Sequence, residues 1–284
     1  MTFINDAHFT FHGGRAVDQI KDANRKRWDE RVHHNAVSRF YDLKGFKEGN
    51  TSLKRIEIEE LGDVSGKSIL HLQCHFGMDT LSLARMGAKV TGVDFSGEAI
   101  SLARSLSEEL GIKARFIQSD IYKLNEVLDE DFDIVFTSYG VLCWLSDIDR
   151  WGDIAASFVA PGGFFYIVEN HPFGIMIDEH VEDRFQVGYP YFYNDPLRFE
   201  DEGTYIDPDQ RLENKVSYEW THTMGGIMNS LIRNGLIIEF LHEFPFSFFP
   251  IHPSMREGDD DYWYFKDENF NVPMIFSLKA SRPI

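Results

Sequence analysis

From Gly66 to Glu169, short apolar runs alternate with helical stretches, and this rhythm constrains the chain more than any other feature. Strands are predicted at 69–72, 88–93, 114–118, 132–137 and 164–169. Between them, 80–86 reads as a helix stopped at Gly87, 97–110 as a helix capped by Ser96 and stopped at Gly111, and 147–159 as a helix stopped at Pro161-Gly162-Gly163. Ile100, Ala103 and Leu106 recur at helical spacing. The run at 132–137 is strongly apolar, as a strand covered on both faces is. Strands and helices alternating at this spacing give a parallel sheet with right-handed crossovers.

The rhythm breaks after His171. Residues 172–217 carry Pro172, Pro190, Pro196 and Pro208 among aromatic and acidic residues, too long a stretch for a plain connection, and are expected to form a lid or a small added layer. A helix at 221–234 closed by Gly235, a strand at 236–243, a second irregular segment at 245–271 and a last strand at 274–280 follow. With no helix between them, the last two strands are expected to pair antiparallel at the sheet edge. Residues 1–60 read as a helical cap, in which Trp28, Val32 and Val37 offer an apolar face. The expectation is one α/β domain over 1–284: a doubly wound, mostly parallel seven-stranded sheet with an antiparallel edge strand. The N-terminal cap precedes it, and insertions after strands five and six form a substrate lid.

Charge narrows the partners. The chain holds 46 acidic against 28 basic residues, a formal charge of -18, and no Lys/Arg-rich run. Arg25-Lys26-Arg27 is short, is followed at once by Asp29 and Glu30, and reads as a solvated helix face. Nucleic acid and anionic membrane are therefore not expected partners, and a small molecule is. Cys74 and Cys143 are too few for a disulfide framework, the N-terminus lacks the pattern of a signal peptide, and no apolar run approaches the roughly 18 residues that span a bilayer. A cytoplasmic protein is expected. The histidines, His33-His34 included, show no metal-ligand spacing, so no metal is expected.

In an open α/β sheet, ligands bind beyond the carboxyl ends of the strands, where strand order reverses. Here those ends carry Gln73-Cys74-His75-Phe76-Gly77-Met78-Asp79, then Asp94-Phe95, Ser119-Asp120-Ile121, Ser138-Tyr139-Gly140 and Glu169-Asn170-His171. With His71 to Gly77, Val90-Thr91-Gly92-Val93-Asp94-Phe95-Ser96, Phe132-Asp133-Ile134-Val135 and Pro161-Gly162-Gly163 in this order, the chain resembles the class I S-adenosylmethionine-dependent methyltransferases. It is most similar to a bacterial subgroup whose first motif reads His-Leu-Gln-Cys-His-Phe-Gly and whose acceptor is unassigned. The likeness extends to the Trp28 segment and to Tyr218-Glu219-Trp220-Thr221-His222. It implies S-adenosylmethionine as cofactor, held among Trp28, His71, Gln73, His75, Gly77, Asp94, Phe95, Ser96, Asp120, Ile121, Ser138 and Tyr139.

The family's first loop is usually acid-x-Gly-x-Gly-x-Gly; here His71 stands for the acid, and Gln73 and His75 stand for the first two glycines. Either the loop takes another path or side chains hold part of the cofactor's amino-acid end. Asp94 ends strand two about 20 residues after the loop, where a carboxylate can accept both ribose hydroxyls. That placement serves a dinucleotide as well, but a pyrophosphate needs a more glycine-rich turn than this one. Asp120 can accept the adenine amino group while Ile121 packs on the ring; its other reading is a cap or turn residue.

Methyl transfer asks the protein for alignment, exclusion of water and, where needed, a base. Tyr139, Glu169 and His171 are the candidate bases, His171 the best by intrinsic pKa, although a loop histidine bonded to backbone and a solvated strand-end glutamate are the plainer readings. Trp28, Tyr139, Trp144, Phe173 and the aromatic run 189–193 can wall a pocket or simply fill the core. The expected activity is methyl transfer to a small-molecule acceptor. Two other readings stay open: a cofactor-binding protein without catalysis, and a nicotinamide-dependent oxidoreductase.

Overall fold

A computed structural model describes residues 2–3, 14–181, 184–204, 206, 211–267 and 269–284; Pro208 of the first insertion lies outside them. Seven strands build the central sheet: β1 (Ser68–Leu72), β2 (Lys89–Asp94), β3 (Arg115–Gln118), β4 (Phe132–Ser138), β5 (Val159–Asn170), β6 (Ile237–Phe244) and β7 (Ile275–Ser281). Their spatial order is β3-β2-β1-β4-β5-β7-β6. β1 to β5 run parallel, and β7 slots between β5 and β6, antiparallel to both. The sheet thus closes at that end in an antiparallel pair, as two strands with no intervening helix require. Strand order reverses between β1 and β4, and ligands of such sheets bind at that reversal.

Helices cover both faces: α1 (Gly14–Val37), α2 (Leu43–Lys47), α3 (Arg55–Leu61), α4 (Met78–Arg85), α5 (Gly97–Glu109), α6 (Ile148–Ser157), α7 (Pro172–Ile175) and α8 (Met224–Arg233). The cap read from sequence, Ser96, holds, and Asp147 and Thr223 cap α6 and α8 in the same way. Ser96 Oγ accepts from the Ala99 N–H at 3.1 Å, Asp147 from Arg150 N–H at 2.9 Å and Thr223 from Gly226 N–H at 2.9 Å. α8 therefore starts later than the 221–234 pattern suggested, and β5 starts earlier than 164, running through Pro161-Gly162-Gly163. Leu70, Leu72 and Val135 with Trp151 and Ile154 form the core on one face; Ile69, Ile134 and Phe136 with Leu53 and Ile56 form it on the other.

α1 departs from its sequence reading. Val37 is 86% exposed and lies off the buried face. The buried stripe is Ile20, Asn24, Arg27, Arg31 and Asn35, joined by Val32. These positions recur three to four residues apart, the spacing of an apolar face, yet most carry polar groups. Arg27, read as solvated, has no exposed side-chain area: its guanidinium donates to the carbonyls of Asp201, Gly203 and Asn214 and lies 3.6 Å from the Asp201 carboxylate. Asn24 exchanges two hydrogen bonds with the backbone of Tyr218. What α1 packs against is a small sheet in which strand 197–200 pairs antiparallel with 2–3 and with 216–219. The first insertion is thus an added layer fastened to α1, and the second carries a two-stranded ribbon of 255–257 and 263–265. No helix among the described residues is long and apolar enough to cross a membrane.

Candidate functional site

The turn after β1 is the centre of the site. Gln73, His75 and Gly77 have φ of 56°, 51° and 79°, so every second residue is left-handed. The backbone follows the alternating path that glycines would give, with two non-glycine residues held in it at a cost of about 1 kcal/mol or more each. Gly77 is obligatory: a Cβ there would stand 2.7 Å from the Phe116 ring. What holds the turn is Asp94. One carboxylate oxygen accepts from His75 N–H at 2.8 Å, the other from Ser96 N–H at 2.9 Å, and burial raises its pKa to about 6.

α1 runs along the carboxyl ends of β2 and β3. Ser96 Oγ donates to Asp29 at 2.6 Å, and Lys21 pairs with Asp120 at 2.9 Å. Asp120 also accepts from Tyr122 N–H at 3.0 Å, with Ile121 buried beside it. Trp28 lies edge-on to both His75 and Trp144, each centroid 5.4 Å away, and the Arg31 guanidinium covers Trp28 at 5.3 Å. Trp28, His75, Asp94, Ser96 and Asp120 thus lie together at the carboxyl ends of β1 to β3, with Phe95 between Asp94 and Ser96 in the chain. Lys21, Asp29 and Arg31 lie among them and were not named from the sequence; the polar stripe of α1 was the available signal.

Where an acid is usual, His71 is buried and neutral, burial pushing its pKa down to about 4. Ser138 Oγ donates to Asp79 at 3.1 Å, so the His71 Nε2, 3.2 Å from that hydroxyl, is its donor, and Nδ1 accepts from Thr80 Oγ at 2.8 Å. The carboxylate of this corner is therefore Asp79, which also accepts from Ser52 Oγ at 2.6 Å. From sequence, Asp79 was one of the residues beyond the first strand, with no role assigned to it.

The three candidate bases have different surroundings. Both oxygens of Glu169 are taken by backbone N–H groups of Gly140, Val141, Leu142 and Asn170, so this carboxylate braces the turn after β4. His171 caps α7, its Nδ1 accepting from Phe173 N–H at 3.0 Å, and its Nε2 lies 2.9 Å from Glu243 on β6, toward the sheet's edge. Burial lowers its pKa against the pull of Glu243. Tyr139 donates to Glu57 of α3 at 2.9 Å and packs on Phe248. Phe173, expected beside the pocket, stacks on Phe185 of the first insertion at 5.9 Å, and Phe192 of the aromatic run is 83% exposed.

Several acceptor oxygens are buried here without a hydrogen bond from the described residues: Gln73 Oε1, Asn170 Oδ1 and Glu219 Oε1. All surround the turn after β4: Gln73 Nε2 donates to the Val141 carbonyl at 3.2 Å, and Trp220 N–H donates to the Cys143 carbonyl at 2.7 Å. Burial raises Glu219 to about 7 despite the nearby Arg31 charge. Asn170 borders a small cavity of about 20 Å³ with Leu142, Cys143 and Trp220. Orphaned acceptors ask for a ligand that brings N–H or O–H donors, and an adenosyl amino acid brings an ammonium, two ribose hydroxyls and an adenine amine. The residues present fit that group. No cluster of metal-ligating side chains occurs among the described residues.

Comparison with known proteins bears on the family and the fold. A family model described as a methyltransferase domain matches residues 69–163. A ubiquinone biosynthesis O-methyltransferase of Proteus mirabilis is 31% identical over 183 residues, 62% of this chain and 71% of that protein. One of Vibrio cholerae is 32% identical over 134 residues, covering 46% of this chain and 54% of its own length. The chain therefore spans little more than half of several curated relatives. Among solved structures, the fold is shared with an S-adenosylmethionine-dependent methyltransferase from Mesorhizobium loti (TM-score 0.55, 22% identity, 83% of this chain and 100% of that one). It is shared also with one from Clostridium acetobutylicum (TM-score 0.53, 14% identity, 90% and 96%).

Proposed function

Because the chain belongs to the S-adenosylmethionine-dependent methyltransferases, we propose that its cofactor lies between the turn at Gln73–Gly77 and Asp94, under α1, and that a small-molecule oxygen nucleophile is methylated beside the turn after β4. The observation that carries this reading is the triple left-handed turn at 73, 75 and 77, pinned by the carboxylate of Asp94. Bound there, the cofactor supplies a methyl group on a sulfonium centre, already activated for transfer.

The chain's own residues supply the rest. Asp94 accepts ribose hydroxyls, Asp120 accepts the adenine amine with Ile121 and Phe95 against the ring, and Gln73 Oε1 with nearby backbone carbonyls accepts the ammonium. His71 and Ser138 fix the turn, and Trp28 with His75 excludes water from above. Glu169 positions the turn after β4, and Tyr139 stands nearest the acceptor. The insertions at 172–217 and 245–271, with the N-terminal cap, serve as a lid. The His71–Gly77 sequence supports placing the chain in the subgroup with that first motif. The O-methyltransferase names of the curated relatives favour an oxygen nucleophile. The acidic chain and its two free cysteines suit a cytoplasmic enzyme acting on a metabolite and not on nucleic acid.

The test is a labelled methyl-transfer screen against metabolite pools with wild type and Asp94→Asn. The account expects label in a small molecule with wild type and an increase of about tenfold in cofactor Kd for the variant, from the loss of charge-assisted hydrogen bonds. Affinity should also fall below pH 6 in wild type, since protonation of Asp94 removes its charge. Unchanged affinity in the variant would displace the ribose from Asp94.

A further inference from the structure

Behind Tyr139 lies a buried carboxylate whose part in the fold is one long capping contact at the start of α3, and which the cofactor placement does not use. Glu57 projects from α3 and has no exposed area. It makes no ion pair with a basic side chain among the described residues; its oxygens accept from Tyr139 Oη at 2.9 Å and from the Lys54 backbone N–H at 3.4 Å. A buried carboxylate without a cation is costly and gathers at functional sites. The groups facing it deepen that cost: Asp79 from α4, Tyr139 from the end of β4, Tyr166 from β5, itself bonded to Glu60, and Tyr262 from the second insertion. None of these carries positive charge.

From Tyr139 a chain of aromatic rings leads back to the cofactor turn. Tyr139 packs on Phe248 at 4.2 Å and Phe248 on Phe249 at 4.8 Å. Phe249 meets Phe40 edge-on at 6.5 Å, Phe40 meets Tyr41 at 5.1 Å, and Tyr41 lies 5.4 Å from His75. These rings come from the second insertion and from the segment between α1 and α2, and Phe40 is 42% exposed. An aromatic rim with a proton-accepting pair at one end suits a flat, hydroxylated acceptor.

We propose that Tyr139 and Glu57 form a proton relay for methylation of a hydroxylated aromatic acceptor seated against this rim. The proposal rests on the cofactor placement given above. The acceptor oxygen forms the new carbon–oxygen bond as the carbon–sulfur bond breaks, and the electron pair of that bond stays on sulfur. The hydroxyl proton moves to Tyr139 Oη while the Tyr139 proton moves to Glu57, so the chain gains one proton and the product leaves neutral. Tyr139 suits the middle of this relay: its proton is already directed at Glu57, which leaves an oxygen lone pair for the acceptor.

Catechol, with labelled S-adenosylmethionine, is the probe. Burial and Asp79 raise Glu57 to about 7, so wild-type kcat should climb as pH rises through 7, the deprotonated acid being the active form. Glu57→Gln keeps an acceptor for the Tyr139 hydroxyl but cannot take the proton. It should lower kcat at least about a hundredfold, abolish the climb near pH 7, and leave the KM for S-adenosylmethionine within about twofold. Tyr139→Phe should lose as much with the same cofactor KM. Retention of the climb and of most of kcat in Glu57→Gln, or no transfer to catechol by a wild type that binds S-adenosylhomocysteine, would overturn the relay. Failure of wild type to bind S-adenosylhomocysteine would instead remove the cofactor placement beneath it.

Discussion

Gln73 shows how a single residue can hold a path that usually belongs to glycine. Its φ of 56° is unfavourable for an L-residue, and the gain that offsets it is a side chain, which donates to Val141 and leaves Oε1 for the ligand. Gln73→Gly should therefore change stability by less than about 1 kcal/mol in urea denaturation, because relief of backbone strain offsets removal of the hydrogen bond to Val141. It should nevertheless weaken cofactor binding several-fold by calorimetry. Gln73→Val, β-branched at a left-handed position, should destabilise by about 2 kcal/mol or more. A glycine variant with undiminished affinity would show that Oε1 has no part in binding. This residue also marks how far the sequence could be read. The ligand-side position of the turn was legible from strand ends alone. The alternatives of another path or of side-chain holding were not separable, because the turn is held by bonds from Cys74 N–H to Val93 and from His75 N–H to Asp94, both distant in sequence, and not by any local propensity.

At the scale of elements, α1 carries the lesson. Its buried stripe has helical spacing but polar identity, so a reading based on apolar periodicity chose Val37, which is exposed, and passed over Arg27, which is sealed. The strands and helices from β1 to β5 were legible because each buries apolar side chains against its neighbours; α1 buries hydrogen bonds to a layer whose position no local pattern announces. Removing Arg27 would take the guanidinium from the carbonyls of Asp201, Gly203 and Asn214 and a positive charge from beside the Asp201 carboxylate. Arg27→Met should cost about 3 kcal/mol in urea denaturation and raise hydrogen exchange first in the 197–219 layer. Equal stability of the variant would mean that the layer is held by its own packing. Glu57 was hidden for a related reason, since a glutamate three residues into a helix reads as a capping partner and only the tertiary fold sets Tyr139 upon it.

For the whole molecule, the mostly parallel seven-stranded sheet with its antiparallel strand was foreseeable, whereas the joining of α1, the added layer and the turn after β4 around Glu219 was not. That joint has a pH signature. Burial holds the Glu219 proton more tightly in the folded than in the unfolded chain, so wild type loses this contribution as pH rises from the ordinary carboxylate range to about 7. Glu219→Gln lacks the titration. Its Tm minus that of wild type should increase over that interval and level off above it; a constant difference would remove burial as the cause. The account as a whole stands on a phosphate-free adenosyl ligand held between the Gln73–Gly77 turn and Asp94. Isothermal titration of the full chain with S-adenosylhomocysteine and, separately, with NADH tests it most directly. Saturable one-to-one binding of S-adenosylhomocysteine, weakened about tenfold by Asp94→Asn, and no heat from NADH are predicted. Silence with S-adenosylhomocysteine and a normal isotherm with NADH would contradict it.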